Sequence, residues 1–324
     1  MDHAVGDDDN EDNIFVYRGG QAPQHVTHVL IDKSLDEIED NAFDSCENLL
    51  TVDTHNGLRR VGWNAFQYCK SLKLINLKSA VEIDSWAFYV CEDLESVEFG
   101  DRLETIGKSA FDGCYSLTHL KLPSIITIEE FAFYNCRRLT DIELSERLET
   151  IESSAFYNCD RLQRIAIPLK RDLFAFSNVW QRYTQFNACE QLTTVDLVGG
   201  IHKTVTSLHL ETWRNEMIAD INRINQVLPN TAADDKTNEI RQWMELVLDK
   251  MDHYKAEHDR YVKEGITLLE LALWKTKLGE KEENAVEGRT KKAKVDAGSY
   301  RRDKRITCGA DMVIKNALPY LQLE

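Results

Sequence analysis

The sequence lacks any long uninterrupted run of apolar residues. Its most apolar stretch, residues 266–274, is interrupted by Glu270 and is far shorter than the roughly 20 residues that cross a bilayer. The chain begins Met-Asp-His-Ala-Val-Gly-Asp-Asp-Asp, which offers neither the basic nor the apolar part of a secretory signal. We therefore expect a cytoplasmic or nuclear protein that has no membrane segment and is not secreted.

Basic residues are scarce relative to acidic ones. The chain has 39 Lys and Arg against 55 Asp and Glu, a formal net charge of −16. A surface of this sign repels phosphates, so nucleic acids and anionic membranes are poor partners. Two segments depart from the average. Residues 1–13 hold six acids and no Lys or Arg and are expected to form a disordered acidic tail, whereas residues 289–305 hold eight bases and two acids.

Signatures of catalysis and metal binding are also missing. There is no HExxH, no paired CxxC, no P-loop spacing around residues 199–204 and no GxSxG. His253 and His258 lie five residues apart, not the four that place two imidazoles on one helix face. We therefore expect no enzymatic activity, no catalytic residue, no cofactor and no metal site.

A repeated phrase, Ala-Phe-x-x-Cys-x-x-Leu, dominates what is present. It recurs every 22 or 23 residues over six units, and a seventh unit follows 30 residues after the sixth. A period of this length is typical of a solenoid, in which each short unit stacks on the next. The repeated structural residues are Phe43, Phe66, Phe88, Phe111, Phe133, Phe156, Phe186, Cys46, Cys69, Cys91, Cys114, Cys136, Cys159 and Cys189.

These repeated residues are interpreted as the solenoid core. The Phe fills the interior, the Ala allows close approach, and the Cys fills the gap as a small reduced thiol. Because no secretory signal is present, we do not interpret the cysteines as a disulfide framework. Oxidation of neighbouring thiols is the alternative.

Each unit also contains a segment Leu-x-x-Val-x-Leu whose apolar residues alternate. Alternation predicts one short strand per repeat, and stacking turns these strands into a parallel sheet. The segment Val26-x-x-Val29-x-Ile31 fits the same pattern, and residues 14–17 are expected to pair beside it as an N-terminal cap. The solenoid is therefore predicted over residues 14–206.

Beyond the repeats, the apolar spacing becomes helical. A first helix is predicted up to Leu228, where Pro229 follows. A longer helix is expected over residues 235–277, with a heptad-like seam at Ile240, Met244, Val247, Met251, Tyr254, His258 and Tyr261. The two helices are predicted to form an antiparallel hairpin over residues 207–278. Residues 279–305 are interpreted as a basic flexible linker, and residues 306–324 as a short C-terminal helix.

The repeat resembles the BspA-type leucine-rich repeat family over residues 26–197, because six successive units agree at Ile, Phe, Cys and Leu. The following part resembles a branch of this family with a helical C-terminal module, found as many paralogues in unicellular algae. Six stretches carry that similarity: residues 195–203, 213–217, 221–230, 253–258, 268–275 and 306–310. The resemblance implies a curved repeat domain that binds other proteins and has neither catalytic residues nor a cofactor. Some secreted or surface members of the wider family are adhesins.

The predicted fold class is thus α/β. A leucine-rich-repeat solenoid with a parallel β-sheet of short strands precedes an all-α C-terminal module, made of a helical hairpin and a short terminal helix. The expected function is intracellular protein–protein interaction, as a scaffold that binds partners through exposed strand residues. An adhesin-like surface binder is an outside alternative, which the absence of a visible export signal disfavours.

Residues that flank the central apolar residue of each strand are predicted to point away from the core and to form one surface, which we call the strand face. The predicted partner-binding residues are Thr51, Asp53, Leu74, Asn76, Ser96, Glu98, His119, Lys121, Asp141, Glu143, Arg164, Thr194 and Asp196, with Ala166 in the same columns. Acids outnumber bases here, which favours a partner with a basic surface. A merely solvated sheet surface is the alternative.

The basic segment contains a pattern shaped like a bipartite nuclear-import signal. Its candidate residues are Lys291, Lys292, Lys294, Arg301, Arg302, Lys304 and Arg305. In that case an import receptor would be a partner and the protein a nuclear adaptor or regulatory factor. A solvated linker is the alternative. Nucleic-acid contact is less favoured, because few aromatic residues accompany the bases.

An apolar stripe on the helical hairpin is interpreted as its core. The stripe consists of Trp213, Met217, Trp243, Met244, Met251, Tyr254 and Tyr261. Homodimerisation through the long helix is the alternative. His258 on the same seam is interpreted as a packed histidine, not as a ligand.

Overall fold

The structure, a computed structural model, describes residues 14–175 and 184–287. The predicted acidic tail over residues 1–13 and the predicted C-terminal helix over residues 306–324 lie outside the described residues. The same is true of residues 288–305 of the predicted linker, and with them of all seven import candidates.

The alternating segments form parallel strands, as predicted, but each repeat contributes a second, shorter strand as well. Within the described residues the strands are β1 (Ile14–Tyr17), β2 (His28–Ile31), β3 (Glu37–Ile38), β4 (Thr51–Asp53), β5 (Arg60–Val61), β6 (Leu74–Leu77), β7 (Glu82–Ile83), β8 (Ser96–Phe99), β9 (Thr105–Ile106), β10 (His119–Lys121), β11 (Thr127–Ile128), β12 (Asp141–Glu143), β13 (Thr150–Ile151), β14 (Arg164–Ile167) and β15 (Thr194–Leu197).

The short strands form a six-stranded parallel sheet in the order β13-β11-β9-β7-β5-β3. They come from the apolar pair that precedes each Phe, and their buried residues align from Ile38 to Ile151. The sequence predicted only one strand per repeat. Each of these strands is two residues long, which is too short for an alternating pattern to be visible in the sequence.

The longer strands form two parallel sheets instead of the single sheet that we predicted. One has the order β1-β2-β4-β6-β8, which confirms the N-terminal cap, and the other has the order β10-β12-β14-β15. The described residues show no ladder between β8 and β10. The residue after β8 is Gly100, where a Cβ atom would lie 1.8 Å from the carbonyl oxygen of Lys78. The chain therefore approaches the preceding repeat too closely at this point for any other residue to fit.

The interior is a stack of phenylalanine rings. All seven repeated Phe side chains are fully buried. Successive ring centroids lie 5.0–5.6 Å apart with interplanar angles of 1–11°. The spacing is close to the separation of neighbouring strands, so each ring covers the one before it. Tyr17 closes the stack at the N-terminal end, with its ring centroid 4.9 Å from that of Phe43.

The cysteine column lies beside this stack. The seven described cysteines are free and buried. From Cys69 to Cys189, each Sγ donates to the carbonyl oxygen of the Phe in the preceding repeat at 3.1–3.3 Å. A thiol is small, apolar and a weak donor, which suits this position. Burial raises the pKa of the six thiols from Cys46 to Cys159, that of Cys46 to about 11, so these six stay protonated and unreactive at neutral pH.

The turns around each Phe use left-handed backbone at non-glycine residues. These residues lie two positions before or after the Phe, as with Asn135 (φ 61°) and Asn158 (φ 58°). Asn tolerates this region because its side chain can bond the local backbone. Val90 (φ 58°) occupies the equivalent position of an earlier repeat, where a β-branched side chain is strained.

Three α-helices follow the repeats in the described chain. They are α1 (Ile201–Val205), α2 (Glu211–Val227) and α3 (Lys236–Glu287). The predicted linker was expected to begin at residue 279, but α3 continues to Glu287. Residues 279–287 are mostly Glu, Lys and Ala, which favour helix even without an apolar face. Polarity alone was therefore misleading. None of these helices has the length and apolar character needed to cross a membrane.

The chain divides into two compact units. One contains the described residues up to Thr204 together with Ile218–Leu248, and the other contains Val205–Met217 and α3 from Asp249 onward. We expected residues 207–278 to form one module. Instead, the middle of that hairpin belongs to the same unit as the solenoid.

In the first unit, side chains from the helices form hydrogen bonds with backbone groups at the end of the solenoid. The Asn225 side chain accepts from the Val195 N–H at 2.8 Å and donates to its carbonyl at 3.2 Å, on the last strand β15. Lys236 is almost fully buried, and its Nζ donates to the carbonyl oxygens of Glu190 and Leu192, each at 2.7 Å. Solenoid ends and sheet edges need such caps because their polar groups would otherwise lack partners.

Candidate protein-binding surface

The strand face is formed by alternate residues of the longer strands. In β6, for example, Ile75 and Leu77 are buried, whereas Leu74 and Asn76 are exposed. The same alternation holds in β4, β8, β10 and β12. Because the repeat places each strand one spacing from the next, residues at equivalent positions form rows across the sheets.

The parallel register brings the predicted residues together in two groups. In the first group, Thr51 aligns with Leu74 and Ser96, and Asn76 aligns with Glu98. The second group contains the rows His119–Asp141–Arg164–Thr194 and Lys121–Glu143–Ala166–Asp196. We call the outward residues of β1, β2, β4, β6 and β8 the N-terminal half of the strand face. Those of β10, β12, β14 and β15 are the C-terminal half.

Not every residue of the predicted columns is accessible. Ala166 is buried, because its methyl group is too short to reach past Glu143 and Asp196, its neighbours in the row. Five others are half-buried: Thr51, Asp141, Arg164, Thr194 and Asp196. The remaining eight predicted residues are exposed.

Ion pairs link the charged residues of the C-terminal half. Arg164 lies between two carboxylates, with its Nη1 2.8 Å from Asp141 Oδ1 and its Nε 2.6 Å from Asp196 Oδ2. Hydrogen bonding to Asp141, opposed by partial desolvation, raises the pKa of the guanidinium. Lys121 Nζ lies 3.5 Å from Glu143 Oε2 on the neighbouring strand. Arg164 and Lys121 are thus already engaged with acids of this half.

The N-terminal half is more apolar and extends further than the sequence predicted. Leu74 is 57% exposed and Leu30 is 41% exposed, and the outward residues Ile14 and Val16 of β1 are half-buried. Leu30 aligns with Asp53, and the His28 ring nitrogen lies 2.8 Å from Thr51 Oγ1. The outward residues of β1 and β2 were missed, although the match of Val29 and Ile31 to the strand pattern indicates that Leu30 points outward.

The turns carry a second row of aromatic side chains. Trp63 and Trp86 form an edge-to-face pair with ring centroids 6.2 Å apart, and Tyr134 stacks on Tyr157 at 4.8 Å. Trp63 is 43% exposed, whereas the other three are half-buried. These pairs lie on the turns and are not part of the strand face.

The helices contain the predicted apolar stripe. Met217, Trp243, Met244, Met251 and Tyr254 are buried, whereas Trp213 and Tyr261 are half-buried. His258 is half-buried and stacks on His209 with ring centroids 4.0 Å apart. Within the described residues, no group of three or more His, Cys, Asp or Glu is placed to hold a metal ion.

Several solved structures match part of the chain at low identity. The T. pallidum protein TpLRR is 23% identical, with a TM-score of 0.42; the match covers 55% of this chain and 82% of that one. A protein from Eubacterium ventriosum is 22% identical, with a TM-score of 0.42, over 57% of this chain and 44% of that one. The pneumococcal vaccine antigen PcpA is 16% identical, with a TM-score of 0.25, over 62% of this chain and 66% of that one.

The chain therefore spans less than half of the E. ventriosum protein. No curated protein sequence matches the chain.

The family model for the BspA-type leucine-rich repeat region matches the chain in six copies, over residues 22–127 and 104–227. Leucine-rich repeat proteins generally mediate protein–protein interaction and are typically binding scaffolds without enzymatic activity. More than half of the chain is covered by this match, which includes all seven Phe-containing repeats. The chain belongs to the BspA-type leucine-rich repeat family.

Proposed function

We propose that this protein binds a partner protein inside the cell through the N-terminal half of its strand face. One observation carries the proposal: Leu30 and Leu74 are large, exposed and held on a rigid sheet. Burying such side chains in a complex is favourable, at about 25 cal/mol for each Å² of apolar surface removed from water. The strands already fix their positions, so little conformational entropy is lost on binding.

The partner we expect presents apolar side chains flanked by basic ones. The apolar side chains contact Leu30 and Leu74, and basic groups approach the exposed carboxylate of Asp53. The C-terminal half contributes less, because a ligand must compete with the ion pairs of Arg164. Charge on the face then affects the association rate and specificity more than it affects affinity.

Affinity purification from native lysate with mass spectrometry tests this proposal. The bait is the full chain, compared with the double variant Leu30→Glu/Leu74→Glu. The matched control is Leu246→Glu, which charges an exposed leucine on α3. We expect partners that wild type and the control recover and that the double variant loses. Partners that survive the double variant would contradict use of this face.

The seven buried free thiols support an intracellular setting. Reduced cysteines persist in reducing compartments, and none of the seven is paired in the described structure. A fluorescent fusion is expected to show cytoplasmic or nuclear signal. Labelling of the protein on intact cells by a membrane-impermeant reagent would instead favour the adhesin-like surface binder.

A nuclear adaptor is the alternative within the intracellular class. It is motivated by the basic sequence at residues 289–305. The test compares the nuclear fraction of the wild-type fusion with that of Lys291→Ala/Lys292→Ala. Loss of nuclear signal in the variant would support this alternative, and equal distribution of both would dismiss it.

A further inference from the structure

The distal part of α3 exposes an unusual amount of apolar surface. Between residues 263 and 277, the large apolar side chains of Ile266, Leu268, Leu271, Leu273 and Trp274 are each more than half exposed. They are distributed around the helix and do not form a single stripe. A helix that is apolar on several sides is normally buried against other elements. Exposed apolar surface of this extent marks an interaction site.

One seam on this helix has a self-complementary pattern. Glu264, Leu268, Leu271 and Lys275 follow one another at steps of four, three and four residues, which places them along one line on the helix surface. An acid lies at one end of the seam, a base lies at the other, and two leucines lie between them. All four side chains are exposed.

We propose that this seam pairs with the same seam of a second copy of the chain, with the two helices antiparallel. In that orientation Leu268 of one copy faces Leu271 of the other. Glu264 of one copy then faces Lys275 of the other. A two-fold axis repeats each contact, which is the property of an isologous interface. A parallel arrangement would instead oppose Glu264 to Glu264 and Lys275 to Lys275.

The pattern continues at both ends of the seam. Tyr261 precedes it by three residues and is half-buried, and Leu278 follows it by three residues in the sequence. Arg260 Nε lies 3.9 Å from Glu264 Oε1, one turn away on the same helix. That contact is long and exposed, so it leaves Glu264 available to a closer partner.

Self-association is measured by analytical ultracentrifugation of the full chain over a range of concentrations. We expect wild type to form a dimer or a larger closed assembly. Glu264→Lys alone and Lys275→Glu alone each oppose like charges across the axis twice. Each is expected to weaken the dimer by about tenfold or more. Glu270→Lys makes the same charge change outside the seam and is the control, expected to behave as wild type.

Two combinations make the test specific for pairing between copies. The double variant Glu264→Lys/Lys275→Glu restores opposite charges and is expected to regain association. An equimolar mixture of the two single variants also opposes unlike charges, so it should form mixed dimers although neither variant associates alone. Contacts between this helix and another segment of the same chain cannot produce that rescue by mixing.

Several outcomes would overturn the proposal. A wild-type chain that stays monomeric at about 100 µM, far above the Kd of most specific complexes, would show that another segment or another protein covers the helix. Single variants that associate like wild type would exclude this seam. Failure of the mixture to associate would exclude antiparallel pairing. Circular dichroism verifies that each variant is folded, and Leu30→Glu/Leu74→Glu is expected to leave self-association unchanged.

Discussion

The two halves of the strand face share one backbone arrangement but differ in their outward side chains. Both consist of parallel strands over one continuous stack of phenylalanine rings. Outside, the N-terminal half presents exposed leucines, whereas the C-terminal half presents a network of ion pairs around Arg164. Stacking dictates the interior residues, so they repeat. The outward residues contact only a few neighbours on the sheet surface and are free to differ from repeat to repeat.

The largest expected effect concerns what the two halves share. Phe88 lies under the N-terminal half and Phe133 under the C-terminal half, and both are fully buried. Phe88→Ala and Phe133→Ala are each expected to lower the free energy of unfolding by about 3–5 kcal/mol. Chemical denaturation measures both, with exposed Lys121→Ala as the control. A negligible loss for either variant would mean that the halves do not share one core.

The next largest loss of stability is expected from a substitution at the junction between the two halves. Gly100 follows β8, and a Cβ there would lie 1.8 Å from the Lys78 carbonyl oxygen. Gly100→Ala must displace backbone and is expected to cost about 1–3 kcal/mol. The neighbouring exposed substitution Asp101→Ala should cost far less. Equal thermal stability of the two variants would show that the close approach is not needed.

Asp112 lies in the repeat that joins the two halves. We expect its carboxyl group to make the free energy of unfolding depend on pH. Burial raises the pKa of its carboxyl group to about 7, although a side-chain hydrogen bond with Asn135 opposes the shift. The unfolded chain loses this proton near pH 4, whereas the folded chain keeps it to about pH 7. Stability is therefore highest below pH 4, falls as pH rises to 7, and is constant above that for this group.

Asp112→Asn removes that titration. Above pH 7 it is expected to be more stable than wild type by about 1–2 kcal/mol, a value reduced because the carboxylate is only partly buried. At pH 4 the two proteins should differ little. Urea denaturation at pH 4 and pH 8 provides the comparison. If Asp112→Asn were more stable than wild type by the same amount at both pH values, the raised pKa of Asp112 would be contradicted.

Breaking the network of the C-terminal half has a smaller effect. Arg164→Met removes both ion pairs and keeps an unbranched apolar stem in place of the arginine methylenes. All three partners are about 40% exposed, so the loss is expected to be about 0.5–1 kcal/mol. The difference from wild type should shrink in 1 M salt, where such pairs are screened. A loss that is unchanged by salt would indicate lost packing instead of lost charge interaction.

The smallest expected effect on stability concerns corresponding turn positions in the two halves. Val90 has a left-handed backbone, whereas the equivalent positions of later repeats hold Asn135 and Asn158. Val90→Asn is expected to stabilise the chain by about 0.5 kcal/mol, because Asn tolerates this region. The reverse change, Asn158→Val, should destabilise it. Thermal denaturation measures both variants. Changes in melting temperature of the same sign for the two variants would contradict this explanation.

The sequence predicted the repeated interior well for a physical reason. Each Phe and Cys must pack on its counterpart one repeat away, so the requirement recurs and becomes visible as a period. The longer strands and the N-terminal cap followed from the same alternation. The two-residue strands were missed because two residues carry no period, and the division between β8 and β10 leaves no mark in the repeated pattern.

The surface was less predictable. The columns of the strand face follow from alternation, but the burial of Ala166 depends on the size of its neighbours. The charge count suggested a face in which acids outnumber bases, and in the structure Arg164 forms ion pairs with two of those acids. A composition cannot show which charges meet, because that depends on register and side-chain length. The continuation of α3 to Glu287 was missed because a polar helix has no apolar stripe.

We infer that the N-terminal half of the strand face carries partner binding. The most direct test is the Kd of a purified partner for three proteins: Leu30→Glu/Leu74→Glu, Arg164→Met and wild type. We predict that the leucine variant weakens binding by at least about tenfold, since two buried leucines are each worth about 1.5–3 kcal/mol. Arg164→Met should change the Kd by less than about threefold. Unchanged binding by the leucine variant, or a larger loss with Arg164→Met, would contradict the account.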